Sequence, residues 1–142
     1  GFVGSNLVRA LLKARPKQVI VVDNLLSADI SQVPEDEIVR FIHGSITEDK
    51  ILQSFPESID YVFHLATYHG NQSSIADPLK DHENNTLTSL KLFDFLSQPK
   101  QLSSLKKVVY AGAGCTIAKK TYDDVQATKE SEEVSLYLDS PY

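Results

Sequence analysis

Cysteine is almost absent from this sequence, since Cys115 is the only one in 142 residues. An internal disulfide is therefore excluded, and a reducing cytoplasm is the expected location. Positive charge is also scarce: 14 Lys and Arg stand against 19 Asp and Glu, giving a formal net charge of −5. This balance gives no electrostatic reason to expect binding to nucleic acid or to an anionic membrane. No apolar run is long enough to cross a bilayer or to act as a secretory signal.

The length and composition are those of one domain. The sequence is 42% hydrophobic and 23% charged, which is ordinary for a soluble globular protein. It does not begin with Met, and its first residues already belong to a motif that normally follows a strand. We therefore expect residues 1–142 to be a partial domain from a longer protein, with no internal repeat and no linker.

The first residues combine two glycines with the start of a helical pattern. Gly1 and Gly4 lack a Cβ, so backbone N–H groups could approach a pyrophosphate there, and the helix N-terminus adds a favourable dipole. Asp23 ends an apolar run about 20 residues later, where a dinucleotide-binding unit places the carboxylate that binds the adenosine ribose. An ordinary strand-to-helix turn and a strand-end cap are the alternatives for the glycines and for Asp23.

Short apolar runs alternate with helical patterns along the chain. Strands are predicted at residues 19–22, 38–42, 60–66 and 108–111, and helices at residues 5–14, 48–55 and 79–96. One side of the long helix is predicted to carry Leu87, Leu90, Phe93 and Leu96. The alternation predicts an α/β fold with a Rossmann-like, doubly wound parallel sheet. The sheet is expected to be incomplete, because the first strand and the C-terminal substrate region are missing.

Several short motifs follow one another in a consistent order. Residues 1–6 read GFVGSN, residues 21–25 read VVDNL and residues 64–67 read HLAT. Further on, residues 77–78 read DP, residues 84–85 read NN and residues 140–142 read SPY. Together these motifs resemble the N-terminal part of the extended short-chain dehydrogenase/reductases, the NAD-dependent sugar-nucleotide epimerase/dehydratase family. The resemblance covers nearly the whole sequence and implies NAD as the cofactor and a nucleotide sugar as the substrate.

The resemblance also implies roles for individual residues. Tyr142 corresponds to the catalytic acid/base of a YxxxK motif, whose Lys would supply the cation that a phenol needs to act as a base at neutral pH. Asn84 corresponds to the asparagine that supports the active site. An Asp at position 23 favours NAD over NADP, because a carboxylate would repel the 2′-phosphate. The implied cofactor contacts are Gly1, Phe2, Val3, Gly4, Asp23, Asn24, Ser27, Ser45, Ile46, Leu65, Ala66, Thr67 and Asn84.

Two positions depart from the family's pattern. Ala113 stands where a Ser or Thr normally hydrogen-bonds the substrate hydroxyl beside the Tyr, so Thr116 or Cys115 would have to reach in, or the Tyr would act alone. Thr116 is the candidate for this role, and loop packing is its alternative. Ser45 stands where an Asp normally contacts the adenine amino group, a bond that a hydroxyl accepts more weakly. Ile46 would pack on the adenine or in the core.

The expected function is that of an enzyme, an NAD-dependent sugar-nucleotide epimerase of the UDP-sugar 4-epimerase type. Dehydration is disfavoured because residues 111–120 contain no acidic pair of the kind that the family's 4,6-dehydratases use. The alternatives are a non-catalytic NAD-binding protein of the same fold, or a sugar-nucleotide dehydratase or reductase. The four histidines have no metal-ligand spacing, so no metal site is predicted. The family implies a homodimer, formed through the helix at residues 79–96.

We predict that residues 1–142 expressed alone fold poorly and are inactive. A Rossmann sheet places its first strand between the second and the fourth, and without it two apolar strand edges are left unpaired. Thermal melting followed by circular dichroism and titration with NAD check this prediction. A cooperative transition together with tight NAD binding would contradict it.

Overall fold

Four strands and a series of helices follow one another along the described part of the chain. The computed structural model describes residues 1–112. Within that range the elements are α1 (Phe2–Lys13), β1 (Val19–Asp23), a 3₁₀ turn (Ile30–Gln32), β2 (Val39–His43), α2 (Asp49–Gln53), β3 (Tyr61–His64), α3 (Asn71–Ala76), α4 (Pro78–His82), a π-helical turn (Glu83–Leu87), α5 (Thr88–Ser97), α6 (Pro99–Leu102) and β4 (Lys107–Tyr110).

The strands form two parallel pairs. β1 pairs with β2, with Val19 opposite Val39, and β3 pairs with β4, with Tyr61 opposite Lys107. Parallel neighbours need long crossovers, and α3 to α6 supply the one between β3 and β4. Within residues 1–112 the two pairs remain separate sheets, so no described strand covers the other edge of β1 or of β3. The predicted parallel α/β arrangement is confirmed.

The helices differ from the prediction in three places. α1 begins at Phe2 rather than at residue 5, because Gly1 already occupies the N-cap position. α3 lies between the predicted strand at residues 60–66 and the predicted helix at residues 79–96, where no helix was predicted. The long helix predicted at residues 79–96 is divided into α4, the π-helical turn and α5. The helix predicted at residues 79–96 is nevertheless confirmed, because residues 78–97 are helical throughout. Apolar spacing does not register the single wider turn within it.

The apolar core of the described residues is small, and its members lie on the helices α1, α2 and α5. Its fully buried members are Val8, Ile51, Leu92 and Leu96. Of the side chains predicted to line one side of the long helix, only Leu96 is fully buried, whereas Leu90 is 60% exposed and Phe93 is 42% exposed. The buried side of α5 runs instead through Thr88, Leu92 and Leu96. Thr88 tolerates burial because its hydroxyl is hydrogen-bonded to the helix backbone.

None of the helices between residues 1 and 112 is both long and apolar enough to cross a membrane.

A glycine is required at the end of β2. Gly44 has a φ of +154°, and its N–H donates to the carbonyl oxygen of Asp23 at 3.1 Å, which continues the pairing of β1 with β2. A Cβ at this position would lie 2.9 Å from Cδ1 of Ile51 and 3.0 Å from Oε1 of Glu48. The backbone conformation and the crowding both exclude a side chain, so Gly44 fixes the path of the next residues.

We predict that Gly44→Ala in the full-length protein lowers the free energy of unfolding by about 1–3 kcal/mol, because it adds both backbone strain and a steric clash. Gly4→Ala is the matched control, since an added Cβ there meets no atom within 4 Å. Urea denaturation of both variants measures the difference. Equal stabilities for the two variants would refute a steric requirement at Gly44.

Candidate functional site

The N-terminus of α1 presents backbone N–H groups with no helical partner. The first backbone hydrogen bond of the helix runs from the N–H of Ser5 to the carbonyl oxygen of Gly1 at 3.0 Å, so the N–H groups of Phe2, Val3 and Gly4 lie before the helical ladder begins. Among residues 1–112 no side chain caps this end, and the first turn of the helix contains no acidic residue. Phe2 and Val3 are exposed. The arrangement is suited to binding an anion such as a pyrophosphate.

Asp23 lies at the end of β1, close to this helix terminus. Its Oδ1 accepts a hydrogen bond from the N–H of Leu25 at 2.8 Å, and its Oδ2 lies 3.7 Å from the nitrogen of Gly1. The cap that was considered as an alternative to cofactor binding is therefore present. The cap uses Oδ1 of Asp23, and Oδ2 faces the segment that begins at Gly1. The cap holds Leu25 at a φ of +57°, an uncommon conformation for a side-chain-bearing residue.

The loop after β2 carries Ser45 and Ile46. Oγ of Ser45 accepts hydrogen bonds from the backbone N–H of Thr47 at 3.2 Å and from its hydroxyl at 2.9 Å. With both acceptor positions used, the hydroxyl of Ser45 retains its own proton to donate. Lys91 of α5 donates to the carbonyl oxygen of Thr47 at 2.8 Å and to Asp49 at 2.6 Å, so the loop is fixed to that helix.

Asn84 joins the loop after β1 to the helical layer. Its Oδ1 accepts a hydrogen bond from Nδ2 of Asn24 at 3.0 Å, and its own Nδ2 donates to the carbonyl oxygen of Lys80 at 2.9 Å. Oδ1 of Asn24 in turn accepts from the N–H of Leu26 at 3.1 Å. The sequence analysis selected both asparagines, and the structure brings them into direct contact.

Asn85 was not among the predicted site residues, although it makes the larger set of contacts. Its Oδ1 accepts from the backbone N–H of Tyr68 at 2.7 Å and from the hydroxyl of Thr67 at 3.2 Å, and its Nδ2 donates to the carbonyl oxygen of Tyr68 at 3.1 Å. Asn85 therefore holds the segment that follows β3. The only signal in the sequence was its position directly after Asn84.

Asn84 and Asn85 both lie in the π-helical turn. A wider turn leaves backbone carbonyl groups without their usual partners. The hydroxyl of Thr88 donates to the carbonyl oxygens of Asn84 and Asn85 at 2.8 and 3.0 Å, and the hydroxyl of Ser89 donates to that of Asn85 at 2.7 Å. These two side chains stabilise the turn, so that Asn84 reaches the loop after β1 while Asn85 reaches the loop after β3.

A cleft of about 320 Å³ lies between the loops after β1 and β3. Ser27 lines one side, Thr67 and Tyr68 line another, and Lys80 also borders the cleft. Nζ of Lys80 lies 5.7 Å from the centre of the Tyr68 ring. Leu65 is half-buried at the end of β3, and Ala66 next to it is exposed. Tyr142, Thr116, Ala113 and Cys115 lie outside the described residues.

His64 is buried at the end of β3, with only 6% of its surface exposed. Its Nε2 lies 3.2 Å from Oγ of Ser89, whose proton is donated to the carbonyl oxygen of Asn85. Oγ of Ser89 must therefore accept from His64, which assigns the neutral tautomer that carries its proton on Nε2. Burial lowers the pKa of His64 from its ordinary value of 6.5.

The fold and the loops at the strand ends define an α/β protein of the dinucleotide-binding class. The model of the NAD dependent epimerase/dehydratase family matches residues 1–142. The chain belongs to this family, whose members are NAD-dependent enzymes. The family resemblance and the expected fold class, a partial Rossmann domain, are therefore confirmed.

Solved structures and curated proteins that are similar to this chain support the same family. WbmF of Bordetella bronchiseptica, crystallised with NAD+, is 52% identical to this chain, with a TM-score of 0.78 over 100% of this chain and 38% of that one. The epimerase Mth375 of Methanothermobacter thermautotrophicus is 38% identical, with a TM-score of 0.83 over 99% and 40%. The UDP-glucose 4-epimerase of Lacticaseibacillus casei is 29% identical, with coverage of 99% of this chain and 41% of the relative. The chain spans about two fifths of these proteins' length.

We predict that the stability of the full-length protein falls as the pH drops below 6.5. The pKa of His64 is lowered by folding, so the unfolded state binds more protons in this range and is favoured there. His64→Gln removes the titrating group and should reduce the loss of stability between pH 7 and pH 5. Urea denaturation at several pH values in this range gives the slope of the unfolding free energy against pH for each protein. As the control, the slopes of the unchanged protein and of His64→Gln should agree above pH 7.5. An unchanged slope in the variant would contradict it.

Proposed function

We propose that the full-length protein is an NAD-dependent sugar-nucleotide epimerase of the UDP-sugar 4-epimerase type. The observation that carries the proposal is the uncapped N-terminus of α1 beside Oδ2 of Asp23. A dinucleotide needs such a combination, with N–H donors for its pyrophosphate and a carboxylate acceptor for its ribose hydroxyls.

The cofactor would extend from this point along the loops at the strand ends. The pyrophosphate would bind at residues 1–4, and the adenosine ribose would bind Asp23 with Asn24 and Ser27 close by. Ser45 and Ile46 would border the adenine, where the hydroxyl of Ser45 is available to donate to a ring nitrogen. Leu65, Ala66 and Thr67 would follow the cofactor towards its nicotinamide end, while Asn84 would hold the loop after β1 through Asn24. Asp23 favours NAD over NADP, because a carboxylate repels a 2′-phosphate.

The chemical step would depend on Tyr142, which would remove a proton from a sugar hydroxyl, with NAD supplying the hydride acceptor. A Lys four residues further on would lower the pKa of the phenol by its positive charge. Thr116 is the candidate to hydrogen-bond the same substrate hydroxyl, since Ala113 cannot do so. In an epimerase the keto intermediate would then take the hydride back on its other face.

The similar structures support a nucleotide sugar as the substrate. WbmF has been crystallised with NAD+ and UDP, and the UDP-glucose 4-epimerase of Thermotoga maritima, which is 28% identical with a TM-score of 0.76, with UDP-glucose. We further propose a cytoplasmic homodimer. In keeping with an interface on the helical layer, Leu79 of α4 is 80% exposed and Leu90 of α5 is 60% exposed.

We predict that Gly4→Ala in the full-length protein weakens NAD binding at least tenfold without loss of stability. The fold accepts the new Cβ, which meets no atom within 4 Å, whereas a bound pyrophosphate would meet it at the helix terminus. Isothermal titration calorimetry with NAD measures the affinity, and urea denaturation measures the stability. Unchanged NAD affinity in a stable Gly4→Ala protein would contradict this site.

Turnover separates the epimerase from the alternative, a non-catalytic NAD-binding protein. The full-length protein should interconvert UDP-glucose and UDP-galactose or a related pair, and Tyr142→Phe should abolish this activity while retaining NAD binding. If NAD binds but a panel of nucleotide sugars gives no turnover, the non-catalytic protein is favoured. Accumulation of a 4-keto-6-deoxy product would instead identify a dehydratase.

A further inference from the structure

The most deeply buried acidic side chain of the described residues is not a member of the proposed cofactor site. Asp81 of α4 is 2% exposed, and Ser74 of α3 beside it is 0% exposed. Oδ2 of Asp81 accepts hydrogen bonds from the hydroxyl of Ser74 at 2.6 Å and from Nδ2 of Asn85 at 2.9 Å. A buried carboxylate is costly to desolvate, and these two hydrogen bonds offset part of that cost.

The contact with Asp81 fixes the orientation of the Asn85 amide. Nδ2 of Asn85 uses one hydrogen on Asp81 and the other on the carbonyl oxygen of Tyr68, and its Oδ1 accepts from both Thr67 and Tyr68. All four hydrogen-bonding positions of the amide are therefore used. A carboxylate can only accept, so Asp81 reinforces the orientation that the Tyr68 backbone also favours, in which the amide oxygen faces the N–H of Tyr68.

The side chain of Asn85 binds both polar groups of the Tyr68 backbone. Its N–H donates to Oδ1 of Asn85 at 2.7 Å, and its carbonyl oxygen accepts from Nδ2 at 3.1 Å. If the amide rotated by half a turn, both contacts would become repulsive, and the segment after β3 would lose its support. Thr67 and Tyr68 line the cleft between the two loops, so their placement decides its shape.

We propose that Asp81 is a positioning residue, which orders the Thr67–Tyr68 segment for dinucleotide binding by fixing the amide of Asn85. The inference rests on the proposed function in one respect, namely that this segment contacts NAD. The ordering itself is a property of the protein without cofactor and can be measured separately.

Asp81→Ala in the full-length protein should produce two effects. The amide hydrogen of Tyr68 should exchange with solvent roughly tenfold faster in the absence of NAD, and the Kd for NAD should rise by about the same factor, because the Asn85 amide loses its anchor outside the Thr67–Tyr68 segment. Hydrogen exchange followed by mass spectrometry or NMR measures the first effect, and calorimetry measures the second.

Asp77→Ala is the matched control on the same helix. Asp77 caps α4 by accepting a hydrogen bond from the N–H of Lys80 at 3.1 Å, at the end of α4 opposite to the π-helical turn that carries Asn85. Its removal should lower stability while leaving the Tyr68 exchange and the Kd for NAD close to those of the unchanged protein. If Asp77→Ala raised the Tyr68 exchange rate and the Kd for NAD as much as Asp81→Ala does, Asp81 would be only a stabilising residue. That result would overturn the proposal.

Asp81→Asn is the second variant, because it keeps an oxygen that can accept both hydrogen bonds but also adds a donor group. Asp81→Asn should fold, and its Tyr68 exchange rate and its Kd for NAD should lie between those of the unchanged protein and those of Asp81→Ala. If Asp81→Ala does not fold, Asn85→Ala takes its place, and an unchanged exchange rate at Tyr68 together with an unchanged Kd for NAD in that variant would overturn the proposal. If the unchanged protein binds no NAD while Asp81→Ala still accelerates exchange at Tyr68, the proposed function fails and the positioning role stands.

Discussion

The hydrogen bonds of two adjacent asparagines hold together the loops that form the candidate site. Asn84 binds Asn24 in the loop after β1, and Asn85 binds Thr67 and Tyr68 in the loop after β3. Adjacent residues on a regular helix point about 100° apart. The π-helical turn directs these two side chains at two different loops, and the hydroxyls of Thr88 and Ser89 satisfy the carbonyl groups that it exposes.

Polar contacts have this importance because the apolar core is small. Among residues 1–112 the fully buried apolar side chains come from α1, α2 and α5. The loops at the strand ends are held by side-chain bonds to backbone groups, as in the caps made by Asp23 and Asn24 and in the contact of Lys91 with Thr47. Each such bond contributes about 1 kcal/mol, and its geometry defines one loop conformation.

Sequence patterns predicted those helices and strands that are defined by residues close together in the sequence. The apolar run at residues 19–22 followed by Asp23 identified β1 and the position of the carboxylate beside the glycine segment. The π-helical turn could not be predicted in this way, because it depends on hydroxyl groups at Thr88 and Ser89 that bond to the preceding turn. Asn85 was missed for the same reason, since its role arises from contacts with a loop 17 residues earlier in the sequence. The predicted roles of Tyr142 and Thr116 come from family resemblance alone.

The edge of β1 that faces away from β2 has a consequence for handling the protein. No strand within residues 1–112 covers this edge, and the strand reads VIVVD, with four β-branched apolar residues in a row. Such a segment pairs readily with a copy of itself when its backbone groups are exposed. Self-association through β1 is therefore the first cause to examine when residues 1–142, expressed alone, precipitate during expression or refolding. Low protein concentration during refolding is the direct countermeasure.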